Sequence, residues 1–294
     1  MSRSLRVGWI GLGAMGAPMA LAAAASGHQV KAFDVNPAAL KALASQVSPA
    51  ASARAAAQEA ELVVIMVATA SQLEDLLFGP EGISTVLTAD STVMVMSTVG
   101  PQALEAAAAR LKPVTGHLVD APVSGGVARA AAGDLLVMVG GAAADINRAE
   151  PLLAALASTY PTVGQKVGDG QRFKLVNQLL CGVHIAAAAE ALALADSMGL
   201  DLEQCHQVLK AGAAQSFMFE DRGQRMLAGT FDQAKSALNI FVKDMGLVTD
   251  AARKVEQPVP LASAAEQLYL RGRREGLGSL DDSVIYRMLT RRDS

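Results

Sequence analysis

Residues 5–34 constrain the fold more than any other stretch of the chain. Leu5-Arg6-Val7-Gly8-Trp9-Ile10 is short and apolar, as a buried strand is. Gly11-Leu12-Gly13-Ala14-Met15-Gly16 follows, then an Ala-rich helical run to Ser26-Gly27. A second strand, Gln29-Val30-Lys31-Ala32-Phe33, ends in Asp34. In this order (strand, Gly-rich turn, helix, strand, acid) a GxGxxG sequence has a mechanism. Gly11 permits the tight turn, Gly13 lets the backbone approach a pyrophosphate, and Gly16 lets the helix pack closely. The helix N-terminus then offers N–H groups to the phosphates. Gly11, Leu12, Gly13, Ala14, Met15 and Gly16 are therefore predicted to cradle a dinucleotide. The alternative is a tight packing turn in an unrelated α/β domain.

Asp34 narrows the ligand. A carboxylate there accepts hydrogen bonds from a ribose diol and repels a 2′-phosphate. No Arg follows in Asp34-Val35-Asn36-Pro37, so the expected cofactor is NAD and not NADP.

The strand–helix alternation continues. Ala38–Ala44, Ala53–Ala60 and Ser71–Phe78 read as helices, with strands at 62–67 and 92–96. Leu62-Val63-Val64-Ile65-Met66-Val67 is continuously apolar, as a strand covered on both faces must be. Ligands of such sheets sit at the strands' carboxyl ends, so Met66, Val67 and Thr98 are expected to line the cofactor. Thr98 could equally cap the helix that Pro101 begins. His117–Asp120 is a further strand running into Ala121-Pro122-Val123-Ser124-Gly125-Gly126. Ser124, Gly125 and Gly126 offer a hydroxyl and backbone N–H groups suited to a substrate carboxylate, or a plain strand-to-helix turn with Ser as cap. Leu135–Gly140 reads as one strand, Ala143–Leu156 as a helix, and Thr162-Val163 as the closing strand.

After Gly164 only helical patterns remain. No Gly or Pro falls between Val183 and Gly199, and a helix from Gly170 to Met198 would span roughly 40 Å. Lys174, Asn177 or Gln178, and Cys181 recur at i, i+3/i+4 and i+7 on one face of it. A surface Lys with an ordinary hydrogen bond is the plain reading of this face. Leu202–Ala211, Ser216–Leu227, Ser236–Val255, Leu261–Arg274 and Ser283–Arg291 complete the series. The expected fold is an α/β Rossmann-type N-terminal domain, residues 1–165, joined by a long helix to an all-α C-terminal domain, residues 166–294. The second domain is expected to serve substrate binding and oligomerisation.

Composition excludes several classes. A net charge of -3 gives no reason to expect nucleic acid, and Arg271, Arg273 and Arg274 read as a solvated helix face. Two cysteines fit a reducing, cytoplasmic setting, with no disulfide framework and no metal-ligand spacing. Arg3, Arg6 and the apolar run to Ala25 superficially resemble a signal peptide, but five glycines and prolines break the run, so it is read as mature protein. His184 and Glu190 interrupt the Leu179–Ala195 run, so no membrane span is expected.

Four motifs stand in order: Gly11–Met19, Asp120–Gly126, Gly168-Asp169-Gly170 leading to Lys174, and Lys243-Asp244. Together they resemble the β-hydroxyacid dehydrogenase family, over nearly the whole chain. Asn177–Ala191, Ser216–Arg222 and Ile240–Asp244 are similar to its L-threonate dehydrogenase branch, which oxidises four-carbon sugar acids with NAD. The resemblance implies an NAD-dependent oxidoreductase acting on CH–OH in carbohydrate metabolism, assembled as a homodimer or homotetramer. It implies that Lys174 is the general acid/base and that Ser124, Gly125 and Gly126 hold the substrate carboxylate. It implies that Thr98 contacts substrate or nicotinamide and that Lys243 closes over the cofactor. An exposed lysine paired with a neighbouring acid is the plainer reading of Lys243. Many relatives place Asn four residues after the catalytic Lys; here Gln178 stands there with Asn177 beside it, and either amide could bind substrate. Related alternatives are a tartronate semialdehyde reductase and a 3-hydroxyisobutyrate dehydrogenase. A non-catalytic dinucleotide-binding module is the alternative of another class, and retention of Lys174 argues against it.

Overall fold

The computed structural model describes residues 3–290, which form two compact units divided after Lys174. In the first unit, β1 (Arg6–Ile10), β2 (Gln29–Phe33), β3 (Ser48–Pro49), β4 (Leu62–Ile65), β5 (Thr92–Val95) and β6 (Leu118–Asp120) pair in the order 3-2-1-4-5-6, all parallel. This is the doubly wound arrangement, and its strand order reverses between β1 and β4. β4 and β5 are buried at every position, as strands covered on both faces are. Helices α1 (Gly16–Ala25), α2 (Pro37–Leu43), α3 (Ala53–Ala57), α4 (Ala70–Phe78) and α5 (Pro101–Leu111) connect them. One face packs Trp9, Met19, Val64 and Met94; the other packs Ile10, Ile65, Leu77 and Leu104.

Past β6 the chain departs from the expected single strand. Val123–Ser124 (β7) is followed by α6 (Gly126–Ala131), then β8 (Leu135–Val137) and β9 (Val139–Gly140). Leu135–Gly140 is thus two strands in two different sheets. β8 pairs with β7 and with β10 (Ala157–Thr159), whereas β9 joins β6 antiparallel and β11 (Thr162–Gly164) parallel. Met138 is the switch: its N–H donates to Pro122 O. Helix α7 (Ala143–Leu156) matches the expected bounds. Ser124 is a strand residue, and the N-cap of α6 is Gly125 with no side-chain cap, so the reading of Ser124 as a cap is corrected. Gly100 likewise is the N-cap of α5, which corrects the cap reading of Thr98.

Helix α8 (Asp169–Ser197) is 29 residues long, and the boundary between the units falls within it after Lys174. Contrary to the sequence expectation, it is long and apolar enough to cross a membrane by length and composition, with mean hydropathy 1.6 over an 18-residue stretch. Half of that stretch is buried, and Ile185, Ala188, Ala189 and Leu192 belong to the second unit's core. Around them pack α9 (Leu202–Lys210), α10 (Phe217–Ala228), α11 (Leu238–Lys254) and α12 (Pro260–Arg274). Asp201 and Ser216 cap α9 and α10 through Gln204 N and Phe219 N. The last element is a 3-10 helix, Asp282–Met288, and not the α-helix expected over 283–291; Arg291 lies outside the described residues.

Candidate active site

The Gly-rich turn sits where β1 meets α1, at the switch point of the sheet. Gly11 has φ +101°, and a Cβ there would lie 2.3 Å from Met66 O. A Cβ on Gly16 would lie 2.1 Å from Gly11 O, so the first turn of α1 folds back on the loop only with glycine. The Trp9 indole donates to the same carbonyl at 3.2 Å, and Gly11 N donates to Phe33 O. A side chain on Gly13 would meet nothing within 4 Å, so its backbone is open to an approaching group. Leu12 N donates to Asp34 Oδ2 at 2.6 Å and Asn36 N donates to Asp34 Oδ1 at 2.7 Å. Each carboxylate oxygen keeps a further lone pair, which a ribose diol can use. Met66 follows β4, pairs through its N–H with Ile10 O, and lies beside Gly11 and Gly16. Gly11 to Gly16, Asp34 and Met66 are thus gathered, with Val67 next in the chain. These residues fit a dinucleotide: an open backbone cradle, a helix N-terminus and a diol acceptor.

A second group surrounds the start of α8, at the carboxyl ends of β5 and β6. Asp120 and Gln171 are fully buried. Gln171 spans from Asp120 to Ser97, Val99 and Gly100, the turn that carries Thr98. Lys174 stands one turn further along α8 and is 6% exposed. Sequence reading missed Asp120 and Gln171 as members of this site. Asp120 had a faint signal, an acid closing a strand before Ala121-Pro122; Gln171 had none beyond its place after Gly170.

Burial pushes the Asp120 carboxyl up to about 6, against the pull of its hydrogen bonds from Gln171, Gly168 and Gly170. The native state therefore holds this proton more tightly than the unfolded chain does. The resulting stabilisation, about 3 kcal/mol, is complete below pH 4 and lost as pH rises through 6. An NMR titration of the Asp120 carboxyl carbon is expected to show a midpoint near 6; a midpoint in the ordinary carboxylate range would contradict this environment.

Ser124, Gly125 and Gly126 form the turn between β7 and α6, with φ +141° and +78° at the two glycines. In the second unit, Gln178 is buried and donates through Nε2 to Asp244 Oδ2. Asn177 Nδ2 donates to Gln178 Oε1 at 2.8 Å and to Cys181 Sγ at 3.4 Å. Lys243 Nζ lies 2.9 Å from Asp244 Oδ1, the neighbouring-acid pairing of the plainer reading. Asp244 is buried and links Gln178 with Lys243, a role the sequence reading did not assign. His206 Nε2 lies within hydrogen-bond distance of Phe219 O and Glu220 O in the core. Neither cysteine is in a disulfide.

A doubly wound sheet with a glycine cradle, an acid closing β2 and a buried lysine beyond the β5 and β6 ends defines a dinucleotide-dependent oxidoreductase. Residues 6–164 match the NAD-binding domain of 6-phosphogluconate dehydrogenase, and residues 168–289 match the NAD-binding domain of NADP-dependent 3-hydroxyisobutyrate dehydrogenase. An L-threonate dehydrogenase of Cupriavidus necator is 39% identical over 98% of this chain and 96% of its own. A 2-hydroxy-3-oxopropionate reductase of Escherichia coli is 33% identical over 97% of both chains. The crystal structure of a 3-hydroxyisobutyrate dehydrogenase from Salmonella typhimurium superposes with TM-score 0.90 at 39% identity, covering 96% of this chain and 99% of its own. The chain belongs to the β-hydroxyacid dehydrogenase family.

Proposed function

We propose that this protein oxidises a small hydroxy acid with NAD, the substrate being L-threonate or a related four-carbon sugar acid. The observation that carries the reading is Lys174, buried on the second turn of a helix whose start is tied to the ends of β5 and β6. Identities of 36–39% to five L-threonate dehydrogenases support the substrate class. Lys174, as the neutral amine, takes the hydroxyl proton while a hydride leaves the same carbon, so the C–O bond becomes a carbonyl. The nicotinamide ring supplies the hydride acceptor. Ser124 and the N–H groups of Gly125 and Gly126 hold the substrate carboxylate. Gly11 to Gly16 hold the pyrophosphate and Asp34 the ribose diol; Met66, Val67 and Thr98 complete the cofactor's surroundings in the first unit.

NAD is the proposed cofactor: Asp34 presents negative charge, and the next side chain, Val35, is 90% exposed and offers no positive charge to attract a 2′-phosphate. The domain functions divide at 165/166, with the second domain serving substrate and assembly. Val176, Leu180 and Leu194 leave an exposed apolar stripe on α8, continued by Met198 just past its end, which supports a homodimer or homotetramer; a stable monomer by light scattering would refute it. The bacterial relatives and two cysteines that form no disulfide support a cytoplasmic role in carbohydrate metabolism.

L-threonate, D-erythronate, 3-hydroxyisobutyrate and glycerate, each with NAD and with NADP, separate the substrates by nicotinamide absorbance. Turnover is expected to be fastest with a tetronate, and kcat/KM about 10²-fold higher with NAD, as loss of about 3 kcal/mol of charge complementarity gives. Equal efficiency with NADP, or turnover of 3-hydroxyisobutyrate alone, overturns the respective assignment.

A further inference from the structure

The carboxamide of Gln171 uses its whole hydrogen-bonding capacity inside the first unit. Its Oε1 accepts from Val99 N at 2.9 Å and Gly100 N at 3.0 Å. Its Nε2 donates to Ser97 O at 3.0 Å and to Asp120 Oδ1 at 2.9 Å. Two donors and two acceptor lone pairs are all an amide has. Asp120 Oδ2 in turn accepts from Gly168 N at 3.0 Å and Gln171 N at 2.9 Å, so the carboxylate caps the first turn of α8. Every neighbour of Asp120 in this set is a donor, which fixes the orientation of the amide and leaves no alternative pairing of equal quality.

The network joins two segments 71 residues apart in sequence. One is the turn Ser97–Gly100, which contains Thr98. The other is the start of α8, where Lys174 follows Gln171 by one turn. Packing alone lets two apolar surfaces slide by fractions of an ångström; four directed bonds to one rigid amide do not.

We propose that Gln171, oriented by Asp120, is a positioning residue that sets the register of Lys174 against Thr98. The proposal rests on the reading of Lys174 as the base. A shift of about 1 Å in a reacting group costs about 10²-fold in rate. Removing the amide therefore lowers kcat without touching the glycine cradle or Asp34, which use none of these bonds.

The test is Gln171→Ala and Gln171→Leu in the full chain, with three readouts. NAD affinity is expected to stay within about threefold, and kcat to fall about 10²-fold. Reductive methylation of Lys174, mapped by mass spectrometry without substrate, is expected to accelerate at least about tenfold as the amine leaves its buried position. A folded variant with kcat within threefold of wild type, with unchanged Lys174 labelling, or with NAD affinity lost in parallel overturns the proposal. Labelling needs no substrate, so if wild type oxidises none of the hydroxy acids the dehydrogenase reading falls while the register is still decided. Should neither variant fold, hydrogen exchange on wild type decides it: the amides of Val99, Gly100 and Gln171 are expected to open as one unit, and independent rates overturn it.

Discussion

Lys174→Ala is expected to lower kcat about 10³-fold, within the range a general acid/base contributes, while NAD affinity stays within about threefold. The proposed pyrophosphate and ribose determinants lie elsewhere in the first unit, on the β1–α1 turn and at the end of β2. Alanine is also a better helix former than lysine, so α8 persists. What is lost is an amine held out of water at 6% exposure. The split between kcat and cofactor affinity distinguishes a reacting group from a binding one. Steady-state rates with the preferred hydroxy acid, together with fluorescence titration of NADH, read both quantities. Retention of more than a few per cent of turnover would remove Lys174 from the chemistry.

The second large effect concerns stability. Arg222 on α10 is buried and donates from Nε and Nη2 to the two oxygens of Asp282, at 2.9 and 3.0 Å, and from Nη1 to Asp221 at 2.6 Å. Asp282 is fully buried and opens the 3-10 helix that ends the described chain. Burial works against the charged guanidinium, but Asp282 and Asp221 hold its pKa above the ordinary value. Burial raises the Asp282 carboxyl in turn, with Arg222 opposing it. Arg222→Ala leaves that carboxylate buried without its bidentate partner, which costs about 3–5 kcal/mol. Trp9 reports on the first unit, so urea unfolding is best followed by circular dichroism of the helical second unit. The variant should recover part of the loss as pH falls, because protonating Asp282 removes the uncompensated charge. A loss under about 1 kcal/mol would show that the pair contributes little.

Strands β1, β2, β4 and β5, the glycine turn and the long helix were legible in the sequence because each is specified locally, whereas the two-residue β3 carried no such signal. Continuous apolar runs mark β4 and β5, and the absence of Gly or Pro after Val183 marks most of α8. What stayed hidden depends on contacts distant in sequence. Leu135–Gly140 looks like one strand, but the Met138–Pro122 hydrogen bond divides it between two sheets. Thr98 and Ser124 both have cap-forming side chains, yet glycines after them take the cap positions. Gln171 is an ordinary polar residue until three segments converge on it. Asp244 shows the same limit in the second unit: its adjacency to Lys243 is visible in sequence, but its bond to Gln178 is not.

Chemical rescue tests the central claim most directly. If a single amine at the start of α8 moves the hydroxyl proton, Lys174→Ala supplied with methylamine or ethylamine should regain hydroxy-acid oxidation in proportion to the unprotonated amine. The rescued rate should then track pH as free amine does. A variant indifferent to added amine, or one that turns over at the wild-type rate without it, would contradict the assignment of Lys174 as the base.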